Sequence, residues 1–413
     1  MCVRLLVLLL LACSCQASNF LGTVMTFYPW DNAVVLRYKL GYETCQTDSR
    51  WTCHSGDCIE GGATTTVVDK ESSGEWCQTE VVSTLRNSTQ HFELRLINIT
   101  NNVTVVQAVT RIDLRNRSDI GQANTSPVTT MLPVLRLPSN CPRNLTMLTF
   151  DPDGDMVRCR YENTTSVLDL SSSCLMTFSP RTNSSKVEGV YAVQLLMEDF
   201  PPQNINVTDG EDYEILTNKD AISQVPIQFV LRVDPPVPSC DEGVFLPTFL
   251  SPTVANGKYF YVTVNTTLAI PIYAQSSMSN FSELLFSGPS SMTKETIGNG
   301  SFLLFWTPSD SDVGQSHPVC FVVQAIFFLS KHHSELRCVV VVVEHSPHTP
   351  ANNNIVVALR AKISSLVPLS EDDIQKVGLP QLKIGLLELG LPADITLRMV
   401  NFSRETTATP NEK

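Results

Sequence analysis

From Thr23 onward the chain is written in short runs of β-branched and aromatic residues broken by Asn, Gly, Ser and Pro. TVMTFYPW, AVVLRYKLGY, HFELRLINI, YAVQLLME, SFLLFWTP and PVCFVVQAIFFL are examples. Runs of this length and content read as strands, and their polar separators as turns. Over residues 18–136 no helical period persists for ten residues, so the pattern excludes a helical bundle and predicts a mainly β fold.

At 413 residues there is enough chain for about three domains, each with its own core. Met1 to Ala17 carries Arg4, the apolar run Leu5 to Ala12 and a small residue before Ser18, the pattern of a cleaved secretory signal. No later apolar run reaches the roughly 20 residues of a membrane helix. The expected product is secreted and extracellular, with no membrane span after signal cleavage.

Cysteine usage points the same way. Beyond Cys2, Cys13 and Cys15 of the leader stand Cys45, Cys53, Cys58, Cys77, Cys141, Cys159, Cys174, Cys240, Cys320 and Cys338. An even set in an oxidising compartment predicts disulfides. Local closure favours Cys159–Cys174, Cys320–Cys338 and two bonds among the first four, leaving Cys141–Cys240 by elimination. His54 inside the Cys53–Cys58 interval also suits zinc, although a secreted context favours disulfides there. The acceptor pattern N-x-S/T occurs at Asn87, Asn98, Asn102, Asn116, Asn124, Asn144, Asn163, Asn183, Asn206, Asn265, Asn280, Asn299 and Asn401, so a heavily N-glycosylated surface is expected.

The formal charge of −12 and the lack of a basic run exclude nucleic acid as a partner, because phosphate backbones are held by clustered Lys and Arg. Proline-rich breaks divide the chain into a β-rich, disulfide-bonded N-terminal module (18–136), a second module (137–239), a third (240–345), a small α+β module (354–403) and a disordered tail (404–413). In the last module Ile374, Val377, Leu382, Leu386 and Leu389 have helical spacing, interrupted by Gly378 and Pro380. Trp306, at the end of FLLFW, is expected in a core between sheets. His332-His333 lies in SKHHS, which reads as a solvated hairpin turn.

LTFDPDGDMVRCRY (148–161) places Asp151, Asp153 and Asp155 around a Pro and a Gly, and GVYAVQLLMEDFPP (189–202) ends in Glu198 and Asp199. Together with WTPSDSDVG (306–314), these segments resemble cadherin-like and dystroglycan-type Ig-like repeats over about 140–345. The resemblance implies tandem Ig/cadherin-like β-sandwich modules that are not enzymes. It also implies a Ca²⁺ site formed by Asp151, Asp153, Asp155, Glu198 and Asp199, although Gln324-Ala325 replaces the last pair in the third module. Three crowded carboxylates need a cation, either Ca²⁺ or an arginine, with Arg158 and Arg160 nearest in sequence. An EF-hand is excluded, since its register puts Met156 where the loop needs glycine. The function expected is extracellular recognition or adhesion toward a protein or glycan ligand. The alternative is a structural matrix or coat glycoprotein that self-associates. His54, His91, His317, His332, His333, His345 and His348 sit in no nucleophile motif.

Overall fold

The computed structural model describes residues 20–30, 33–43, 45, 57–71, 74–86, 90–100, 103–162, 167–180, 188–344, 374–379 and 382–383. Contacts gather 1–346 into one unit and 347–413 into another. In the first unit the described elements are strands plus one 3-10 turn, Asp310–Asp312, as the alternating runs predict.

The strand Ser223–Asp234 (SQVPIQFVLRVD) is buried on both faces for most of its length and organises the first half of the chain. Along one edge it pairs antiparallel with Gly189–Phe200, from Gly189↔Val233 to Asp199↔Ser223. Three strands share its other edge. Gln224 meets Arg111, Ile227 meets Val24, and Val230–Asp234 runs parallel to Val134–Pro138. The sheet continues through Phe20–Trp30, Ala33–Tyr42, Gly74–Arg86 and Asp57–Glu71, ten strands in all. Gly22 permits the crossing. Its φ of +144° is open to glycine, and a Cβ there would lie 2.1 Å from the Gln228 carbonyl oxygen.

This sheet corrects the expected division at 136/137. Pro133 and Pro138 flank a strand that is hydrogen-bonded to the second module, so residues 18–136 and 137–239 share one ladder. Over the Met156–Tyr161, Gly189–Phe200 and Ser223–Asp234 end lies a three-stranded sheet, Arg143–Thr146, Leu168–Leu170 and Leu175–Phe178. Leu145, Leu168, Met176 and Phe178 from it share a core with Leu195, Met197 and Ile227.

The later strands form a sandwich of their own. A four-stranded sheet (Thr248–Leu250, Leu268–Gln275, Ser301–Trp306, Thr293–Gly298) faces a five-stranded one (Tyr259–Thr263, Arg337–Glu344, Ser316–Phe327, Asn280–Ser287, Ser330–His333). Trp306 is buried between them and donates its indole N–H to Ser291 Oγ at 3.0 Å. Much of the outer face of the five-stranded sheet is covered as well: Leu285, Cys320, Val322, Leu336 and Cys338 join one apolar cluster with Met131, Leu132 and Leu135.

Among the described residues four disulfides are present: Cys45–Cys77, Cys141–Cys240, Cys159–Cys174 and Cys320–Cys338. Cys53, and with it the second bond expected of the first four cysteines, lies outside the described residues, as does His54. Asn116, Asn144, Asn206, Asn265, Asn280 and Asn299 are exposed. Asn87, Asn102, Asn163, Asn183 and Asn401 lie outside the described residues, and nothing is described of the Asn98 side chain.

In the second unit the described residues include a π-helical turn, Ile374–Gly378, with Leu379, Leu382 and Lys383 also helical. Most of the 354–403 module lies outside the described residues.

A candidate site: the buried acidic cluster around Arg117

Asp151 to Gly154 is a tight turn, closed by the Gly154 N–H donating to the Asp151 carbonyl at 3.2 Å and allowed by Gly154 at φ +87°. The Asp151 side chain folds back, its Oδ1 accepting from the backbone N–H groups of Asp153 (2.8 Å) and Asp155 (3.2 Å). This draws the carboxylates of Asp151, Asp153 and Asp155 within 4.8 Å of one another.

The cation among them is Arg117, thirty-eight residues back in the chain and 1 % exposed. Its guanidinium grips both oxygens of Asp155, with Nη2 at 2.8 Å from Oδ1 and Nη1 on Oδ2. It also holds Asp119, with Nε at 3.1 Å and Nη2 at 2.8 Å, and lies 3.9 Å from Asp153. Nη1 further donates to Asn124 Oδ1, and the Asn124 amide donates to Asp199 Oδ2 at 2.7 Å. Asp199 Oδ1 accepts from the Ser223 N–H at 2.6 Å, and Asp153 Oδ2 from the Thr125 N–H at 2.6 Å. The planar fork of arginine suits this bidentate arrangement as a point charge would not.

Two expectations are corrected here. Alternate residues of a strand face opposite sides of the sheet, so Glu198 and Asp199 part company. Glu198 pairs with Arg160 (2.9 Å) on the far face, while Arg158 stacks 4.4 Å over the Phe200 ring. The five residues Asp151, Asp153, Asp155, Glu198 and Asp199 therefore do not converge, and neither Arg158 nor Arg160 neutralises the turn. Nor does the donor set fit Ca²⁺. That ion takes six to eight oxygens, whereas both Asp155 oxygens face Arg117 and those of Asp199 are held by Asn124 and Ser223.

The second correction is Asn124. Its sequon reads as an acceptor, but the side chain is fully buried and both ends of its amide are bonded, so no sugar can be carried there.

One guanidinium does not balance Asp119, Asp151, Asp153, Asp155 and Asp199, and the surplus shows in their proton affinities. Burial, reinforced by Asp199 and Asp155, pushes Asp151 up to about 8. Its Oδ2 is buried without a hydrogen-bond partner. Burial raises Asp199 to about 6 against the opposing pull of Asn124 and Ser223, and it raises Asp153 too. Asp119 moves down because Arg117 donates to it. At neutral pH the cluster thus holds a proton on Asp151, and its chemistry is that of a structural tie.

Sequence reasoning found the turn and missed Arg117, Asp119, Asn124 and Ser223. The contacts span 38 residues to Arg117 and 75 from Asn124 to Asp199, and no local pattern marks them.

No family model matches the chain, and no curated protein matches it. Among solved structures it is similar to mouse cadherin-23 EC22–24, at 10 % identity over 69 % of this chain and 86 % of that one, with a TM-score of 0.18. Protocadherin gamma B2 cadherin domains 3–6 align at 13 % identity over 79 % and 74 %, TM-score 0.19. Fibronectin(III)-like modules of Clostridium thermocellum CbhA align at 13 % over 57 % and 100 %, TM-score 0.19. At these scores the assignment of β-sandwich architecture rests on the chain's own sheets. Among the described residues no helix is long and apolar enough to cross a membrane.

Proposed function

We propose that the chain is a secreted, N-glycosylated recognition or adhesion protein that contacts another extracellular protein. Disulfides within the described modules and exposed sequon asparagines support the compartment. The observation that carries recognition is the hairpin between Ser316–Phe327 and Ser330–His333. Its tip presents Phe328 at 86 % and Leu329 at 99 % exposure, with Phe328 held at a left-handed φ of 53°. Strained backbone at an exposed apolar tip is a cost retained where a contact repays it. Phe328 stacks edge-on against Phe327 (4.6 Å), and Phe327 against Phe245 (4.7 Å), so the tip stands on a fixed base. A bare Phe-Leu pair suits a protein pocket better than a glycan, which needs hydrogen-bonding partners.

The test is a screen of the glycosylated protein against an array of extracellular proteins and glycans, with a Phe328→Ser/Leu329→Ser variant beside it. One reproducible protein ligand, lost in the variant, supports the reading. Concentration-dependent self-association, lost in the variant and without any array ligand, would instead favour the self-assembling coat protein.

A further inference from the structure

SKHHS was expected to be the solvated turn of the last hairpin. The turn falls instead at Phe328-Leu329, and Ser330–His333 is a strand whose two histidines are buried. His317, near the start of the paired strand, is buried as well. His317 and His333 face the first sheet across the contact made by the 240–344 sandwich, and each meets it with Nδ1.

His317 Nδ1 lies 3.0 Å from Arg37 Nη1, on the strand Ala33–Tyr42. A guanidinium can only donate, so Nδ1 accepts and the ring proton sits on Nε2, facing Asp312 at 3.4 Å. His333 Nδ1 accepts from the backbone N–H of Arg136 at 3.2 Å, and its Nε2 meets Gln324 Oε1 at 3.2 Å. Both donors belong to the first sheet and neither can reverse its role. A second ring proton would therefore place N–H against N–H at two points of one interface, leaving a buried amide and one N–H of a guanidinium without acceptors.

We infer that the contact between the 240–344 sandwich and the first sheet is an acid-sensitive latch, closed while His317 and His333 are neutral and released when they take up protons.

The charges around each imidazole nearly balance, so hydrogen-bond direction and burial decide the outcome. Facing His317 are Arg37 and Lys39 on one strand of the first sheet and Glu80 on the next, 3.6 Å from Arg37, with Asp312 on its own module. Facing His333 are Arg136, paired with Asp234 at 2.9 Å, and Lys331, paired with Asp69 at 2.6 Å, with His332 beside it. Gln324 links the ring to Asp69 through a 3.2 Å bond. Burial first, then Arg37, holds His317 down at about 3, and burial, then Arg136, holds His333 well below its ordinary value. In the opened form both rings regain water and their ordinary value near 6.5. Lowering the pH from 7.5 to 5 then multiplies the opening equilibrium by roughly 30 for each histidine. The acidic cluster around Arg117 responds the other way, since acid supplies the proton Asp151 already holds. Acid thus opens the contact while the two-module core stays folded.

The experiment is hydroxyl-radical footprinting of the intact glycosylated chain at pH 7.5 and pH 5, comparing Met131 with Met176. Met131 is buried beside the contact, and Met176 in the core of the second module. The expected result is a rise of about tenfold or more in Met131 labelling at pH 5, with Met176 unchanged. In a His317→Asn/His333→Asn variant, Oδ1 replaces each acceptor and cannot titrate, so Met131 stays protected at both pH values. Equal Met131 protection in the wild type at both pH values, or equal exposure of wild type and variant at pH 5, overturns the inference. Should the variant fail to fold, deuterium exchange at the imidazole C2 positions of the wild type decides. His317 or His333 titrating near 6.5 while Met131 remains protected also overturns it.

Discussion

Replacing Asp151 by Asn tests whether the proton or a metal ion completes the acidic cluster. Asp151 has an ordinary value of 3.8 and is pushed up to about 8 by burial and by Asp199 and Asp155. Below pH 3.8 the folded and unfolded states both hold its proton. Between 3.8 and 8 only the folded state does, so stability falls by about 1.4 kcal/mol for each pH unit upward, and above 8 the loss is complete. The buried histidines oppose this slope below about pH 6.5, where the unfolded chain takes up protons that His317, His332 and His333 refuse. Burial also brings Lys39 down to about 8, which opposes the slope at the upper end of pH 6.5 to 8, but equally in wild type and variant, so their difference isolates Asp151. Some solvent contact at its carboxyl reduces the expected loss across that interval to about 1–2 kcal/mol. In Asp151→Asn the side-chain oxygen still accepts from Asp153 and Asp155, and the amide N–H₂ fills the place of the unpartnered Oδ2. Across the interval wild type should lose about 1–2 kcal/mol relative to the variant, which should be more stable at pH 8 by at least that much. Urea unfolding at several pH values, with and without millimolar Ca²⁺, measures this. A variant with the wild-type slope from pH 6.5 to 8 refutes the protonated-cluster account. A Ca²⁺-dependent rise in Tm confined to the wild type would show that a metal ion takes the place assigned to the proton.

Arg117→Met leaves Asp155 and Asp119 buried without their partner and should cost about 3–5 kcal/mol in denaturant unfolding, far more than Arg160→Met at the half-exposed Glu198 pair. Peptide mapping of the secreted protein should find Asn124 unmodified alongside occupied sites at Asn144, Asn206, Asn265, Asn280 and Asn299; a glycan on Asn124 in folded protein contradicts the structure. Asn124→Ala strands Asp199 and one arm of Arg117, and should lower stability by about 2–3 kcal/mol. Gly22→Ala forces a Cβ onto the Gln228 carbonyl at a φ that other residues avoid, so it should cost about 3 kcal/mol or more, or abolish secretion.

The positions of the strands were legible because alternation is a local signal, and so were the close disulfides, whose partners lie 15 and 18 residues apart. Which strand pairs with which was not. Ser223–Asp234 reads as one more apolar run, and nothing within it announces that Arg111, Val24 and Val134 will share one of its edges. The DPDGD turn was legible as a turn, since Pro and Gly dictate its backbone, but its counter-ion was sought among neighbours and came from Arg117. SKHHS misled because polar residues usually mark the turn; here an apolar pair forms it, and the histidines become the buried side of a strand.

Arg117 also shows why the first two modules cannot be separated. A fragment beginning at 137 would lose the guanidinium that neutralises Asp155, the Asn124 that holds Asp199, and three strands along one edge of Ser223–Asp234. Any pH-driven change in the 1–346 unit is therefore expected at the contact between this body and the 240–344 sandwich, where two buried histidines accept hydrogen bonds from the first sheet. Next to the chain crossing, Cys141–Cys240 pins the exit of the second module to its own start, and Arg143 pairs with Glu242 just beyond. Release at His317 and His333 then leaves a covalent tether at Cys240, so the sandwich should swing rather than separate. The hairpin bearing Phe328 and Leu329 is paired with the strand that carries His317, so acid would move the proposed contact surface with it.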